Sequence, residues 1–187
     1  MRSSSAGGER RKPLRDHAAV REFIAAGKQF CGLFEGPVPG REAWCRAALT
    51  ALSRIYAAAS ALPDPEWDRE LDRWENPHRL SVRDRERITS VAAVVLGDER
   101  EYWVWLDPLD PPGPDAELEN GDLVEDLAEL YREIKPGLVA LARNGARFLP
   151  RIVSAWKYPA FESSWGIVAL NAMRALHGLV YGGLLED

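Results

Sequence analysis

Apolar residues recur at steps of three and four along most of this chain, and that spacing is the feature that most constrains its fold. After Asp122 the pattern places one set of side chains on a single arc of a helix, namely Leu123, Leu127, Leu130, Tyr131 and Ile134. The same spacing appears in residues 13–34, 41–62, 81–96, 150–156 and 165–182. A strand would instead alternate its side chains with a period of two. The sequence therefore predicts an all-α fold, a single-domain bundle of about five to six helices.

Helix ends are marked by residues that stop or start helices. Glycines and prolines follow the first two periodic segments, at residues 36–40 and 63–65. Ser81 and Asp84 have the spacing of a capping box, so we expect a helix to begin just after Ser81. Pro136 lies inside the helix that follows Asp122. Because proline removes a backbone donor, we expect a kink or an interruption there.

The stretch YWVWLDP, residues 102–108, is the one segment whose composition favours an extended conformation. We identify no second segment with the pattern of a strand with which it could pair, and an isolated strand is unstable. We therefore expect an extended aromatic segment near 102–108 that lays Tyr102, Trp103 or Trp105 onto the bundle. A loop rich in proline, glycine and acidic residues is expected to follow it as far as Gly121.

Length and composition favour one folded domain. The 187 residues, of which 46% are hydrophobic, are sufficient for one well-buried core and short for two. We expect residues 13–187 to form a single helical domain. Residues 1–12 are rich in serine, glycine and basic side chains, and we expect them to form a disordered basic tail.

Acidic residues are concentrated in the middle of the chain. Residues 98–133 contain 13 carboxylates and two arginines, which gives this segment a net charge of −11. A field of this sign repels the phosphate backbone of nucleic acids, so we expect the folded body not to bind them. On the helix after Asp122, one group of carboxylates lies opposite the apolar arc. This acidic face comprises Asp122, Glu125, Asp126, Glu129 and Glu133.

The residue types that usually carry catalysis or bind metals are sparse. The histidines His17, His78 and His177 fall on separate elements, and the glycines lack the pattern of a phosphate-binding loop. Cys31 and Cys45 are too few and too widely spaced for a zinc site, and we expect both thiols to be reduced. We therefore assign no catalytic residue and expect no metal or cofactor.

The sequence also lacks the usual marks of membrane insertion and export. No apolar run reaches the ~20 residues that a membrane span requires, since Asn171, Arg174 and His177 interrupt the longest one. The opening residues, MRSSSAGGERRKP, contain no apolar segment typical of a signal peptide. We expect a soluble cytoplasmic protein that does not bind membranes.

The second half of the chain resembles a known family. The helix after Asp122 matches one family motif at Asp126, Leu127, Leu130, Tyr131, Arg132, Glu133 and Lys135, and the last helix matches a second at Trp165, Gly166, Arg174, Ala175, Leu176 and His177. Together with YWVWLDP, these motifs resemble a bacterial family of helical proteins known as domain of unknown function 5063. The family motif has a histidine before the tryptophan and another shortly after it, where this chain has Ser164 and Val168. The resemblance implies a helical fold and, because no activity is assigned to the family, no function.

Two functions from different classes fit these observations. The first is a non-enzymatic accessory or interaction protein, such as an inhibitor or immunity-like protein, whose acidic face binds a protein partner with a basic surface. The alternative is a ligand-binding or catalytic bundle with a pocket near the last helix, lined by Tyr131, Trp156, Trp165, Asn171, Arg174 and His177. Each hypothesis also has a purely structural alternative. Carboxylates on a helix can form a solvated face, and aromatic residues on helices can form the core, so both functional hypotheses stay open here.

Overall fold

The computed structural model describes residues 13–65, 76, 78–105, 118–158 and 160–185. Within these residues the helices are α1 (Ala18–Glu35), α2 (Arg41–Ser60), α3 (Val82–Leu96), α4 (Leu123–Asn144), α5 (Leu149–Lys157) and α6 (Gly166–Tyr181). Two strands, β1 (Glu101–Trp105) and β2 (Leu118–Asp122), precede α4, and a π-helical turn, Phe161–Trp165, precedes α6. The predicted all-α bundle is confirmed, with a small sheet at its side. The expected tail, residues 1–12, and most of the expected acidic loop, residues 109–117, lie outside the described residues.

Four helices surround the core in a closed ring. Helix α1 packs against α2, α2 against α6, α6 against α4, and α4 back against α1. Helix α3 covers α4 and α1 from one side, while α5 packs against α4. Because each ring helix repeats its apolar residues every three to four positions, its apolar stripe faces the common centre. The largest fully buried side chains there include Trp44, Trp165, Tyr131, Phe23, Phe30 and Phe34.

Aromatic side chains connect the elements of the bundle. Phe34 of α1 makes edge-on contacts with Trp44 of α2 and Tyr131 of α4, with ring centroids 5.4 and 5.6 Å apart. Phe23, three turns earlier on α1, lies 4.6 Å from Trp156 of α5 and 6.0 Å from Trp165. Tilted and edge-on pairs of this kind add about 0.5–1.5 kcal/mol each beyond area burial. Both ends of α1 are thereby joined to other helices.

The helix ends agree in part with those predicted from the sequence. The predicted capping box is confirmed, because the Asp84 amide donates to Ser81 Oγ at 3.1 Å and the Ser81 amide donates to the Asp84 carboxylate at 3.3 Å. Helix α1 begins at Ala18, after a short 3-10 turn at Leu14–Asp16. Of the kink or interruption expected at Pro136, the interruption is wrong, since α4 continues through it to Asn144, and the kink stays a prediction. Buried residues on both sides of Pro136 keep the two halves of α4 packed on the same core.

The two strands correct the expectation of an unpaired extended segment near 102–108. Strand β1 pairs antiparallel with β2, with Glu101 opposite Asp122 and Trp105 opposite Leu118. The β2 sequence LENGD has a single apolar residue, so hydrophobic periodicity cannot mark it as a strand. Strand β2 leads directly into α4, and the Leu123 amide donates to the Arg100 carbonyl at 2.8 Å. The start of α4 therefore holds the hairpin in place.

Close packing between α4 and α5 depends on a glycine. A Cβ atom at Gly137 would lie 2.6 Å from carbon atoms of the Trp156 indole. We expect Gly137→Ala to reduce the free energy of unfolding by about 1–3 kcal/mol, because overpacking outweighs the better helix propensity of alanine. The matched control is Gly32→Ala on α1, where nothing lies within 4 Å and we expect stabilisation by about 0.5–1 kcal/mol. Urea unfolding of both variants checks this, and equal stabilities would show that Trp156 can move aside.

Candidate functional site

The acidic face lies on the first three turns of α4, between the hairpin and the π-helical turn before α6. Opposite it, Leu123, Leu127, Leu130, Tyr131 and Ile134 are all buried, as their spacing predicts. Glu125 is exposed, whereas Asp122, Asp126, Glu129 and Glu133 are only partly exposed. The hairpin contacts α4 through Tyr102, and the π-helical turn contacts it through Ser164. The acidic face is therefore half enclosed, which the helical periodicity alone does not show.

Asp122 joins the hairpin to the helix. Its Oδ1 atom accepts a hydrogen bond from the Val124 amide at 2.8 Å and so caps α4. Its other carboxylate oxygen lies 3.2 Å from Arg100, which immediately precedes β1. This carboxylate also favours the helix by standing at the positive end of the helix dipole. Asp122 is therefore the member of the acidic face that caps α4.

Asp126 is the most perturbed carboxylate of the acidic face. Burial raises its pKa to about 6, and the neighbouring carboxylates Glu129, Asp122 and Glu125 add to the effect. The Tyr102 hydroxyl donates a hydrogen bond to Asp126, which opposes the shift without cancelling it. Burial and the same contact raise the pKa of Tyr102 well above its usual range. Asp126 therefore carries a negative charge at neutral pH in surroundings that disfavour it.

Tyr102 reaches Asp126 because Gly121 lies opposite it in the hairpin. The register pairs these two residues, and a Cβ atom at position 121 would collide with the Tyr102 ring. Only glycine leaves room for the ring to cross β2 toward α4. The prediction that Tyr102, Trp103 or Trp105 packs on the bundle is confirmed for Tyr102, but sequence reasoning missed its hydrogen bond to Asp126. The alternation of Tyr102, Trp103 and Val104 together with a glycine just before the helix was the available signal.

Glu129 and Glu133 face an arginine and a serine. The Arg132 guanidinium lies 3.6 Å from Glu129 and 3.7 Å from Glu133, in exposed surroundings where such pairs contribute little. Ser164 of the π-helical turn donates a hydrogen bond to Glu129 at 3.3 Å. Burial raises the pKa of Glu133, with a further contribution from Glu129 that Arg132 opposes. Ser164 thus places a neutral hydroxyl beside Glu129.

A second polar cluster, which sequence reasoning also missed, lies at the end of α1. Glu35 accepts a hydrogen bond from the Tyr131 hydroxyl and forms an ion pair with Lys135 at 2.5 Å. Burial alone would raise the pKa of Glu35, but the hydrogen bonds from Lys135 and Tyr131 outweigh it and the pKa is lowered. The charges of this cluster are paired. It joins α1 to α4 and leaves no unbalanced group for a ligand.

The residues expected to line a pocket near the last helix do not come together. Trp156 and Trp165 meet in the core, where the Trp165 indole donates to the Trp156 carbonyl at 3.0 Å. Tyr131 is buried elsewhere, against Phe34. Asn171, Arg174 and His177 lie on the outer side of α6, where Arg174 and His177 are exposed. Trp156 and Trp165 therefore belong to the core, whereas Arg174 and His177 belong to the surface, so the six residues do not form one pocket.

The described residues show neither a metal centre nor a membrane span. No group of three or more histidine, cysteine, aspartate or glutamate side chains among them could hold a metal ion. In the same part of the chain, every helix is too short or too polar to cross a bilayer. His177 stands alone on α6, its ring 4.8 Å from that of Tyr181.

Comparisons with known proteins agree with this architecture. The family model described as domain of unknown function (DUF5063) matches residues 16–182. No curated protein matches the chain. Among solved structures, the crystal structure of protein BF1032 from Bacteroides fragilis is similar, with a TM-score of 0.70 and 23% identity over 90% of this chain and 99% of that one. At that identity the likeness concerns the fold alone.

Fold and surface together define a helical-bundle domain with a half-enclosed acidic face. The chain belongs to the DUF5063 family, whose model covers nearly all of it. The match confirms the resemblance seen in the second half of the sequence and extends it through α1, α2 and α3.

The pKa of Asp126 leads to a prediction about pH and stability. Because the folded state raises this pKa from 3.8 to about 6, the associated stability is present below about pH 4 and is lost as the pH rises through 6. Asp126→Asn, which cannot ionise and still accepts from Tyr102, should be more stable than the parent protein at about pH 8. We expect roughly 1–2 kcal/mol after allowance for solvent screening, and no difference near pH 4.

Chemical unfolding at the two pH values measures this difference. Glu86→Gln, an exposed carboxylate on α3, is the control for the loss of one negative charge. A parent protein more stable than Asp126→Asn at about pH 8 would show that the Tyr102 hydrogen bond stabilises the carboxylate more than burial disfavours it.

Two adjacent residues of α6 test the division between core and surface. Leu176 is fully buried and His177 is exposed. Leu176→Ala should lower the free energy of unfolding by about 2–5 kcal/mol through lost burial and a residual cavity. His177→Ala should change it by less than about 0.5 kcal/mol. Denaturant unfolding compares the pair, and a larger loss at His177 would contradict its assignment to the surface.

Proposed function

We propose that this protein is a non-enzymatic interaction protein whose acidic face binds a basic surface on a protein partner, in the manner of an inhibitor or immunity-like protein. The observation that carries the proposal is the position of Asp126, which is partly buried beside Asp122, Glu125 and Glu129, an arrangement that raises its pKa to about 6. Such a carboxylate weakens the isolated domain at neutral pH. A cation from a partner would remove that penalty on binding.

The charge balance around Asp126 supports the proposal. Among the described residues, no cation forms an ion pair with Glu125 or Asp126, since Arg100 pairs with Asp122 and Arg132 with Glu129 and Glu133. The acidic face is thus incompletely neutralised within the domain. A partner that supplies arginine or lysine side chains would gain both faster association and charge-assisted hydrogen bonds.

We place the protein in the cytoplasm of a bacterium. The similar structure of known fold comes from a bacterium, Bacteroides fragilis. Cys31 and Cys45 are buried and free, and burial raises the pKa of Cys31 to about 12, so the thiol stays protonated and unreactive. Thiols that pack as small apolar groups suit a reducing compartment.

The double variant Glu125→Lys with Glu129→Lys tests the proposed function. Partners are captured from bacterial lysate at low salt, and the association rate of the recovered protein is measured against ionic strength. We expect the reversals to slow association by about 10-fold or more at low salt, and the difference to shrink at higher salt because charges are screened over about 8 Å at ~0.15 M. Thermal stability should stay nearly unchanged, since both side chains lie opposite the buried arc.

Glu42→Lys with Glu86→Lys is the matched control, because these exposed carboxylates on α2 and α3 change the net charge equally and do not belong to the acidic face. The control should leave the association rate within about twofold of the parent. A partner that is indifferent to the Glu125 and Glu129 reversals, or one that responds equally to the control, would refute a role for the acidic face.

A further inference from the structure

The hairpin beside the acidic face has two chemically different sides. Side chains alternate along β1, so Tyr102 is directed toward α4 while Glu101 and Trp103 belong to the opposite side. The register adds Leu118 and Asn120 of β2 to that opposite side. We call Glu101, Trp103, Leu118 and Asn120 the outer hairpin face.

The outer hairpin face exposes a large aromatic surface. The Trp103 side chain is 61% exposed and Leu118 is 54% exposed, although the core of this domain buries tryptophans at positions 44, 156 and 165. Tryptophan is among the residues that most often dominate binding energy at protein interfaces. An exposed indole with an apolar neighbour is therefore informative where a single exposed aliphatic side chain would not be.

The strand backbone that carries Trp103 is fixed by contacts on the side that faces α4. The neighbouring Tyr102 is fixed by its hydrogen bond to Asp126 and by the close approach of its ring to Gly121. The end of β2 is fixed by the Asp122 cap and by the contact between the Leu123 amide and the Arg100 carbonyl. A strand whose backbone is already ordered loses less conformational entropy on binding.

The polar groups of the outer hairpin face indicate which chemistry Trp103 would bind. Glu101 lies two residues along the same side of β1, roughly 7 Å away by strand geometry. Asn120, opposite Trp103, donates a long hydrogen bond of 3.4 Å to the Glu101 carboxylate, which connects the two side chains along the outer hairpin face. A planar guanidinium can stack on the indole face and pair with a neighbouring carboxylate, while its alkyl stem covers an apolar residue such as Leu118.

We propose that the outer hairpin face is a docking surface for an arginine-bearing segment of a partner protein, with Trp103 as its anchor. The inference rests on the proposed function, because the same partner would then reach the acidic face, which adjoins the hairpin through Asp122. The hairpin supplies the stacking surface and one carboxylate, and α4 supplies further negative charge.

A peptide of about six arginines is the probe, with a lysine peptide of equal length for comparison. Indole N–H signals of ¹⁵N-labelled protein report on each tryptophan, and the spectrum of Trp103→Phe assigns the Trp103 signal. We expect the arginine peptide to shift that signal to saturation and to leave the buried Trp44 and Trp165 signals in place. The lysine peptide should bind more weakly, because an ammonium group cannot stack as a plane.

Calorimetry then measures affinity for the variants. Trp103→Ala should weaken arginine-peptide binding by about 2- to 5-fold, the range expected for an exposed cation–π contact, and Trp103→Phe should retain part of the affinity. Tyr181→Ala is the matched control, because Tyr181 on α6 is an exposed aromatic residue far from the hairpin in sequence, at 64% exposure. It should bind as the parent does.

The outcomes separate this inference from the proposed function. Binding that falls with the Glu125 and Glu129 reversals but not with Trp103→Ala would overturn the docking surface and leave the acidic face standing. Binding that is unchanged by either variant would overturn both. A Trp103 signal that moves with protein concentration in the absence of peptide would show that a second copy covers the outer hairpin face, which also overturns the inference.

Discussion

Burial of the apolar arc of α4 is the constraint on which the rest of this structure depends. Its leucines, Tyr131 and Ile134 fill the space between α1 and α6, and this closes the ring of helices. Because the same helix has a period of 3.6 residues, burying one arc forces its carboxylates together on the opposite side. The core therefore determines the orientation of the acidic face, and the hairpin that precedes α4 is brought to its edge.

The surroundings of the acidic face disfavour the ionised form of its carboxylates. Partial enclosure by the hairpin and the π-helical turn raises the pKa values of Asp126 and Glu133, since water can no longer solvate them fully. Glu35 is another carboxylate whose pKa burial alone would raise, but there the hydrogen bonds from Lys135 and Tyr131 lower it. The contrast between the two sites is the strongest physical support for an external cation at the acidic face.

Features set by local periodicity could be predicted from the sequence, and features set by distant contacts could not. The helices, the Ser81 capping box and the buried arc of α4 each depend on residues a few positions apart. Strand β2 could not be recognised because LENGD forms a strand only through its pairing with β1. The partial enclosure of the acidic face could not be predicted either, since Tyr102 and Ser164 approach it from other elements. The six residues of the expected pocket come from different helical elements. The sequence does not show how those elements are rotated relative to one another, so it could not show which of the six side chains face the same space.

The hairpin links the two surfaces proposed for binding through a single strand. Alternation along β1 means that Tyr102 can contact α4 only if Trp103 faces away from it. The contact that buries Asp126 therefore also exposes the indole and fixes the strand that carries it. An uncompensated carboxylate and an exposed aromatic side chain are two consequences of one arrangement. A partner that neutralises the first and covers the second would bind a surface that requires almost no reorganisation, which is the condition under which a small interface binds most effectively.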